Sequence, residues 1–310
     1  MKKIKISTII IHTVLLIWAF ITIYPIVWVL INSFKTSGDI LRNSFNIPLA
    51  NMSFENYGKA IHNERFSLLL GYLNSLIISG SVVVFVLIFA GFASFALARY
   101  EFKGKKILFG LIVASMMLPI FSVIQPLVSI IQVFKINDTR LGVILPQIAG
   151  NASFAIVILT GFMQQLPIEV EESAFMDGAN VFQVMFYLVF PMAKSAFATT
   201  AIFVFLWSFN DLFLQMYIIS DNDKKPIVAM LQEISAGSLV GGEDFGLKTA
   251  AAALAIIPVL ILYFALQKHI IAGLTAGAIK GWLNDIRTKN RTTINSRLAN
   301  RWRRWHCWFN

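Results

Sequence analysis

Long apolar stretches separated by polar or charged segments dominate the hydropathy pattern of the chain. A stretch of about 20 apolar residues is long enough for a helix to cross the hydrocarbon core of a bilayer. The pattern therefore predicts six membrane-spanning helices, over residues 8–31, 72–98, 107–134, 141–162, 191–219 and 249–267. The third contains Pro119 and Pro126, which are expected to kink it.

The polar segment between the fourth and fifth predicted spans carries helix signals of its own. Pro167 suits the start of a short helix, and Gly178 suits the left-handed turn that ends it. Negative charge near the positive end of that helix comes from Glu169, Glu171 and Glu172. A second short helix is expected over residues 181–187. On this pattern alone, the segment either lies among lipid headgroups or forms a surface that another protein contacts.

The composition indicates an integral membrane protein without redox or metal chemistry. Of 310 residues, 57% are hydrophobic and 14% are charged, far from the averages of soluble proteins. Cys307 is the single cysteine, and the four histidines are scattered along the chain, so the sequence shows no cluster of metal ligands. The chain also lacks the glycine-rich phosphate loop G-x-x-x-x-G-K-[ST]. We therefore expect neither enzymatic activity nor a cofactor bound by this chain.

Basic residues flank two of the predicted spans and suggest an orientation. Lys2, Lys3 and Lys5 precede the first span, and a cluster within residues 99–106 follows the second. Short basic flanks favour the cytoplasmic side. With six spans, both termini are expected in the cytoplasm, and the long polar segments 32–71 and 220–248 are expected outside. The glycine-containing part of the second segment is expected to be flexible.

The last 30 residues differ from the rest of the chain. The net charge is +10, and the tail carries seven basic residues against Asp285. The basic residues are Arg287, Lys289, Arg291, Arg297, Arg301, Arg303 and Arg304. Residues 282–310 are either a cytoplasmic tail that settles on anionic headgroups or an abnormal end of the reading frame outside the working fold. We favour the second interpretation.

Four sequence phrases resemble those of one transporter family. Residues 172–179, E-S-A-F-M-D-G-A, resemble the "EAA" loop of ABC importer permeases, with Ser173 in place of an alanine. Residues 209–213 resemble the W-N-D-F-L phrase of these proteins, with Phe209 for tryptophan and Gln215 where proline is frequent. Residues 95–105 are similar to another stretch common in the family. Residues 273–281 are similar to the phrase that ends its sugar-transporting branch.

The resemblance covers about residues 8–281 and is to the maltose-permease-like inner-membrane subunits of binding-protein-dependent carbohydrate importers. It implies an all-α protein of six transmembrane helices with both termini inside and a cytoplasmic helix-turn-helix loop between the fourth and fifth helices. Residues 1–281 would be the permease domain, with a core of about residues 70–270. The implied setting is the cytoplasmic membrane of a prokaryote.

The resemblance also implies partners and a cargo. The partners are a sister permease, two copies of a cytoplasmic ATPase that uses ATP and Mg²⁺, and an extracellular or periplasmic solute-binding protein. The implied cargo is a sugar, here taken to be an oligosaccharide. A polyol, glycerol phosphate or a uronic-acid oligomer is the alternative cargo. A gradient-driven secondary transporter that uses Asp211 is the alternative class, because a carboxylate within an apolar span marks a candidate site.

Three groups of residues are candidates for these roles. Contact with the ATPase is assigned to Glu171, Glu172, Ser173, Ala174, Asp177, Gly178 and Ala179. The translocation path is assigned to Gln147, Asn151, Trp207, Asn210, Asp211 and Gln215. Contact with the solute-binding protein is assigned to Ser235, Gly237, Gly241, Gly242 and Phe245.

Overall fold

The computed structural model describes residues 6–47, 52–62, 67–237, 244–257, 259–261 and 263–264, and all regular elements within them are helical. The helices before the polar segment that was predicted between the fourth and fifth spans are α1 Ile6–Asn32, α2 Ser37–Arg42, α3 Glu55–Ile61, α4 Leu68–Arg99, α5 Lys105–Ser115, α6 Ile120–Val133 and α7 Arg140–Met163. Those that follow are α8 Glu169–Met176, α9 Val181–Val184, a π-helix Met185–Val189, α10 Phe190–Met192, α11 Lys194–Phe209, α12 Leu212–Ile218, α13 Ile227–Gly237 and α14, residues 245–257.

Three of these helices, α1, α4 and α7, are long and apolar enough to cross a membrane. Two further pairs of helices are each bent at a short break. The bend between α5 and α6 is 98°, and the bend between the helical run Val181–Met192 and α11 is 75°. If each bent pair counts as one span, the described residues provide up to five spans. The sixth predicted span begins inside α14, and its end at residue 267 lies outside the described residues.

The core of the bundle is organised around α4, which packs against α7, α11 and α13. Ile78, Val82, Val86 and Ala90 recur every four residues and are fully buried, so they form one continuous face of the helix. The hydroxyl of Ser94 further donates to a backbone carbonyl of α7 at 3.1 Å. Residues from α4, α7, α9 and the π-helix belong to a single buried cluster.

A kink was predicted in the span over residues 107–134, and the structure bends the chain there by 98°, between α5 and α6. The chain leaves α5 after Ser115 and resumes helix only after Pro119, whose ring removes a backbone donor and restricts the preceding residue. Pro126 lies inside α6 without ending it. One of the two prolines therefore marks the break, and the other is accommodated within a helix.

The predicted span over residues 191–219 is not one continuous helix in the structure. The structure ends α11 at Phe209 and starts α12 at Leu212. The physical reason is Asp211, whose carboxylate accepts a hydrogen bond from the backbone N–H of Leu214 at 3.2 Å. This is an N-terminal cap, and a capping residue lies outside the helix that it caps.

The polar external loop predicted over residues 220–248 contains a helix that was not predicted, α13. Ile227, Met230 and Ile234 are buried at helical spacing against α4. The close approach depends on Gly71, where a Cβ atom would lie 2.6 Å from the sulfur of Met230. Polar residues and the nearby glycines hid this short apolar period in the sequence.

The segment that joins α12 to α13 is held to the N-terminal part of α4. The side-chain amide of Asn74 donates to the carbonyls of Asp223 at 2.8 Å and Lys225 at 3.1 Å. The backbone N–H of Ile227 donates to the hydroxyl of Ser75 at 2.9 Å. Side chains of α4 thus satisfy backbone groups that a turn leaves without partners.

The turn before α7 holds the same segment from another side. Asp138 accepts hydrogen bonds from the backbone N–H groups of Ser220 and Asp221, both at 2.9 Å. Arg140 donates to the amide oxygen of Asn74 at 2.9 Å. We call this network of Asn74, Ser75, Asp138 and Arg140 the far-end network, since it lies at the opposite end of α4 from Arg99.

Candidate functional site

The polar segment between the fourth and fifth predicted spans folds into two short helices, as predicted. We call these two helices the α8–α9 hairpin. Gly178 takes a φ of +86°, a left-handed conformation that favours glycine. The next N–H, of Ala179, donates back to the carbonyl of Ala174 at 2.9 Å. A capping box between Asn180 and Gln183, with bonds of 2.8 and 2.9 Å, then starts α9. The π-helix that follows α9 was not predicted.

The hairpin has a packed face and an open face. Val184 is fully buried, and Ala174 and Ala179 pack against the main core cluster. Glu172 and Asp177 are exposed on the other side. Ser173, Phe175, Met176 and Gly178 are exposed as well. The open face of the hairpin therefore carries carboxylates and apolar side chains, and its other face is packed against the core.

A surface groove of about 410 Å³ runs along the hairpin. Its walls come from the small residues Ala174, Gly178 and Ala179 and from the larger Gln183 and Tyr187. The carboxylate of Asp177 lies at its rim. The groove combines apolar walls with one negative charge, so its chemistry suits a basic or amphipathic protein surface.

Glu171 and Glu172 are neighbours in sequence but have different environments. Glu171 is buried, with 4% of its surface exposed, and its carboxylate binds the guanidinium of Arg99 at the end of α4. Arg99 Nε lies 2.8 and 2.9 Å from the two carboxylate oxygens, and Nη2 donates as well. Of the two candidates, only Glu172 is therefore exposed on the surface.

Aromatic rings attach the chain after the hairpin to the same helix. Phe92 of α4 makes edge contacts with Phe186 and Phe190, with ring centroids 6.0 and 6.4 Å apart. Gly91 gives these rings room, because a Cβ atom there would lie 3.2 Å from Phe190 and Phe197. The C-terminal third of α4 thus contacts the chain both before and after Gly178.

The candidate path residues Gln147, Asp211 and Gln215 converge where α11 breaks. The amide nitrogen of Gln147 donates to the carboxylate of Asp211 at 3.0 Å, and its oxygen accepts from the hydroxyl of Ser208. Gln215 donates to the carbonyl of Ser208 at 3.0 Å. Gln147 and Gln215 are buried within the chain, and Asp211 is half-buried. Ser208 belongs to this cluster and was missed.

The other candidate path residues lie beside that cluster and share none of its side-chain hydrogen bonds. Trp207 is 47% exposed and packs edge-on against Phe154, with ring centroids 4.6 Å apart. Asn151 donates to the carbonyl of Gln147 in the preceding turn at 2.8 Å, and Asn210 is exposed. A polar cluster with an aromatic surface beside it thus lies between α7 and α11.

The candidates for contact with a solute-binding protein do not form one loop. Ser235 and Gly237 belong to α13, whereas Phe245 begins α14. Gly241 and Gly242 lie outside the described residues. Next to Phe245, Asp244 accepts a hydrogen bond from the hydroxyl of Ser37 at 2.7 Å, which joins α14 to the α2 region. This link between distant parts of the sequence had no sequence signal.

Such a bundle of long apolar helices, with an exposed two-helix hairpin inserted between them, is typical of a multi-helix membrane protein. The family profile of binding-protein-dependent transport system inner membrane components matches residues 87–275. This chain belongs to that family.

Curated relatives include sugar permeases from several bacteria. A diacetylchitobiose uptake system permease protein of Streptomyces coelicolor is 33% identical over 269 residues, which cover 87% of this chain and 88% of the relative. A trehalose transport system permease protein of Mycobacterium tuberculosis is 31% identical and covers 83% of this chain and 92% of its own length. A melibiose/raffinose/stachyose import permease protein of Bacillus subtilis is also 31% identical, with coverages of 83% and 91%.

A solved structure has the same fold. It is a crystal structure of a bacterial ABC transporter involved in the import of the acidic polysaccharide alginate. The match has a TM-score of 0.71 at 24% identity and covers 86% of this chain and 99% of that chain. This match confirms the all-helical architecture predicted from the sequence, and the family profile and the relatives confirm the family resemblance.

Proposed function

We propose that this chain is a permease subunit that carries an oligosaccharide across the cytoplasmic membrane within an ABC importer. The complex contains a sister permease, two ATPase subunits that use ATP and Mg²⁺, and a solute-binding protein. Family membership supports the class, and the uptake of diacetylchitobiose, trehalose and raffinose by relatives supports the cargo. A polyol or a uronic-acid oligomer is a less favoured cargo.

The observation that carries this proposal is that the hairpin has a buried side and an exposed, charged side. Its base is packed into the core, whereas Glu172, Asp177 and the groove beside them face outward. A rigid, charged protrusion of this kind is suited to receive a movement from another protein. The ATPase is the partner that undergoes such a movement, since nucleotide binding and hydrolysis take place there.

The alternative of a gradient-driven carrier is disfavoured by the contacts of Asp211. One of its oxygens caps α12, and the other accepts from Gln147. These two hydrogen bonds give Asp211 a structural role at the helix break, which accounts for a carboxylate at this position without ion coupling. A phosphate cargo is disfavoured as well, because Lys194 is the one lysine or arginine in the described parts of the predicted spans.

The first prediction tests the open face of the hairpin. Glu172→Arg should weaken binding of the ATPase by about tenfold or more, because reversing a charge at a partly desolvated interface leaves the partner's charge opposed. The measurement is affinity between the purified permease pair and the ATPase, followed by ATP hydrolysis in proteoliposomes with binding protein loaded with diacetylchitobiose, trehalose or raffinose.

Glu101→Arg is the matched control. Glu101 follows α4, and its side chain is 89% exposed, so the variant makes the same charge reversal outside the hairpin. It should bind the ATPase as the wild type does. Equal binding by the Glu172 and Glu101 variants would contradict the assignment. Stimulation of the wild type by none of the three sugars would contradict the proposed cargo.

A further inference from the structure

Arg99 and Glu171 form a buried ion pair between two elements far apart in sequence. The side chains are only 9% and 5% exposed, and the guanidinium donates to both carboxylate oxygens. Removing two charges from water is costly unless the pair is well aligned. Exposed ion pairs contribute little, whereas a buried pair resists separation because each partner would be left as an uncompensated charge. The pair therefore fixes the position of α8 relative to α4.

A second attachment lies on the same face of α4. Phe92 and Arg99 are seven residues apart, which places them on one side of the helix and about 10 Å apart along its axis. Phe92 contacts Phe186 of the π-helix and Phe190 of α10, after Gly178, whereas Arg99 contacts α8, before it. Two attachments prevent the hairpin from pivoting about either one.

The helix that receives both attachments is the one around which the bundle is built. α4 packs against α7, α11 and α13 and bonds to α7 through Ser94. Apart from the ion pair, α8 contacts the core cluster through Ala174, and it packs against α9 and the π-helix that follow it in the chain. With the pair, a displacement of α8 also acts directly on α4.

We propose that Arg99 and Glu171 are positioning residues that make the hairpin and α4 move as one body, so that a movement received by the hairpin is passed to the centre of the bundle. This inference rests on the proposed function and adds the route of transmission to it. Glu171 then acts inside this chain, and Glu172 acts on the partner.

The first test separates binding of the ATPase from transmission. Glu171→Gln and Arg99→Leu should each retain the ATPase on co-purification but lower uptake per ATP hydrolysed by about tenfold. The charge exchange Arg99→Glu with Glu171→Arg should restore a substantial part of the coupling. Failure of either single variant to lower the ratio would overturn the inference, as would exchange variants that insert normally yet recover nothing.

The neighbouring pair of Glu101 and Lys105 supplies the control. Like Arg99 and Glu171, it pairs a basic with an acidic side chain at the same end of α4, with the N and O atoms 2.6 Å apart. Unlike Glu171, Glu101 is exposed. Glu101→Gln should leave the ratio of uptake to hydrolysis at the wild-type value. A loss equal to that of Glu171→Gln would overturn the inference, because it would reflect local charge and not the buried contact.

The second test is a reversible covalent link. Arg99→Cys and Glu171→Cys are combined with Cys307→Ser, and the two thiols are bridged by a bifunctional methanethiosulfonate reagent that a reductant removes. If α4 and α8 move together, the bridged protein transports at least as well as the unbridged double variant. If bridging stops uptake and the reductant restores it, the two elements slide past each other and the inference is wrong.

The wild-type complex separates this inference from the proposed function. Sugar-stimulated hydrolysis and uptake by the wild type test the function alone, with the same three sugars. Where the wild type is active, the ratios and the bridging result test only the route through Arg99 and Glu171.

Discussion

The two ends of α4 are both held by polar contacts, but the contacts differ in kind. At the far-end network, Asn74 and Ser75 bond to backbone groups of the segment before α13. At the other end, Arg99 bonds to one carboxylate side chain, and the rest of the hairpin surface stays open. The first arrangement closes a segment of chain onto the bundle, whereas the second holds a protruding element through one ion pair and the neighbouring aromatic contacts of Phe92.

This difference teaches what each end is built to do. Hydrogen bonds to the backbone fix the path of a chain and leave little freedom, because each displaced carbonyl or N–H loses a partner. An ion pair between side chains fixes the distance between two elements while each keeps its own internal structure. The far end is suited to stay in one shape, and the hairpin end is suited to move as a unit.

The largest expected effect comes from a glycine at the far end. Gly142→Ala would place a Cβ atom 2.4 Å from the carbonyl oxygen of Ile136 and 3.0 Å from the side chain of Ile218. Overpacking against backbone should lower the free energy of unfolding by about 3 kcal/mol. The thermal unfolding midpoint of the purified protein in detergent measures the effect.

Gly150→Ala is the control on the same helix. A Cβ atom at Gly150 meets nothing within 4 Å, so alanine should be neutral or slightly stabilising there. If both variants unfold at the wild-type midpoint, the far end is looser than the comparison requires.

A smaller loss is expected from Asn74→Ala. It leaves the carbonyls of Asp223 and Lys225 and the guanidinium of Arg140 without the bonds that Asn74 provides. Unsatisfied buried groups of this kind should cost about 2 kcal/mol. Hydrogen exchange should rise over residues 219–227 but not over the hairpin. An equal rise in both regions would mean that the two ends are not independent.

How much of this could be predicted from the sequence depends on whether a signal was local. Gly178, the acidic first turn of α8 and Pro167 act within a few residues, and the predicted hairpin is confirmed. The breaks at Pro119 and Asp211 are equally local, but only the proline was recognised. The cap at Asp211 was hidden by the apolar residues on both sides of it.

Contacts between distant residues left no such signal. Arg99 was interpreted as one member of a basic cluster, and Glu171 as one of three glutamates near a helix start. Which glutamate turns inward depends on the orientation of α8 against α4, and this orientation is set by the packing of Ala174, Ala179 and Val184. Similarly, the helix α13 depends on Gly71, more than 150 residues away in the chain. Packing partners at that distance cannot be assigned from hydropathy alone.

The smallest expected effect on stability lies at the hairpin and has the most specific consequence. A Cβ atom at Gly178 meets nothing within 4 Å, so Gly178→Ala costs only the strain of a φ of +86°, about 1 kcal/mol. Asparagine tolerates this conformation better, so Gly178→Asn should cost less. Gly161→Ala, in the last turn of α7 with equally open space, is the control and should cause no loss. Because the strain is confined to the turn between α8 and α9, Gly178→Ala should weaken ATPase binding while exchange in the far-end network stays at the wild-type rate. A variant that instead loosens the far end would show that the hairpin is not a separate unit, and the contrast between the two ends of α4 would fail.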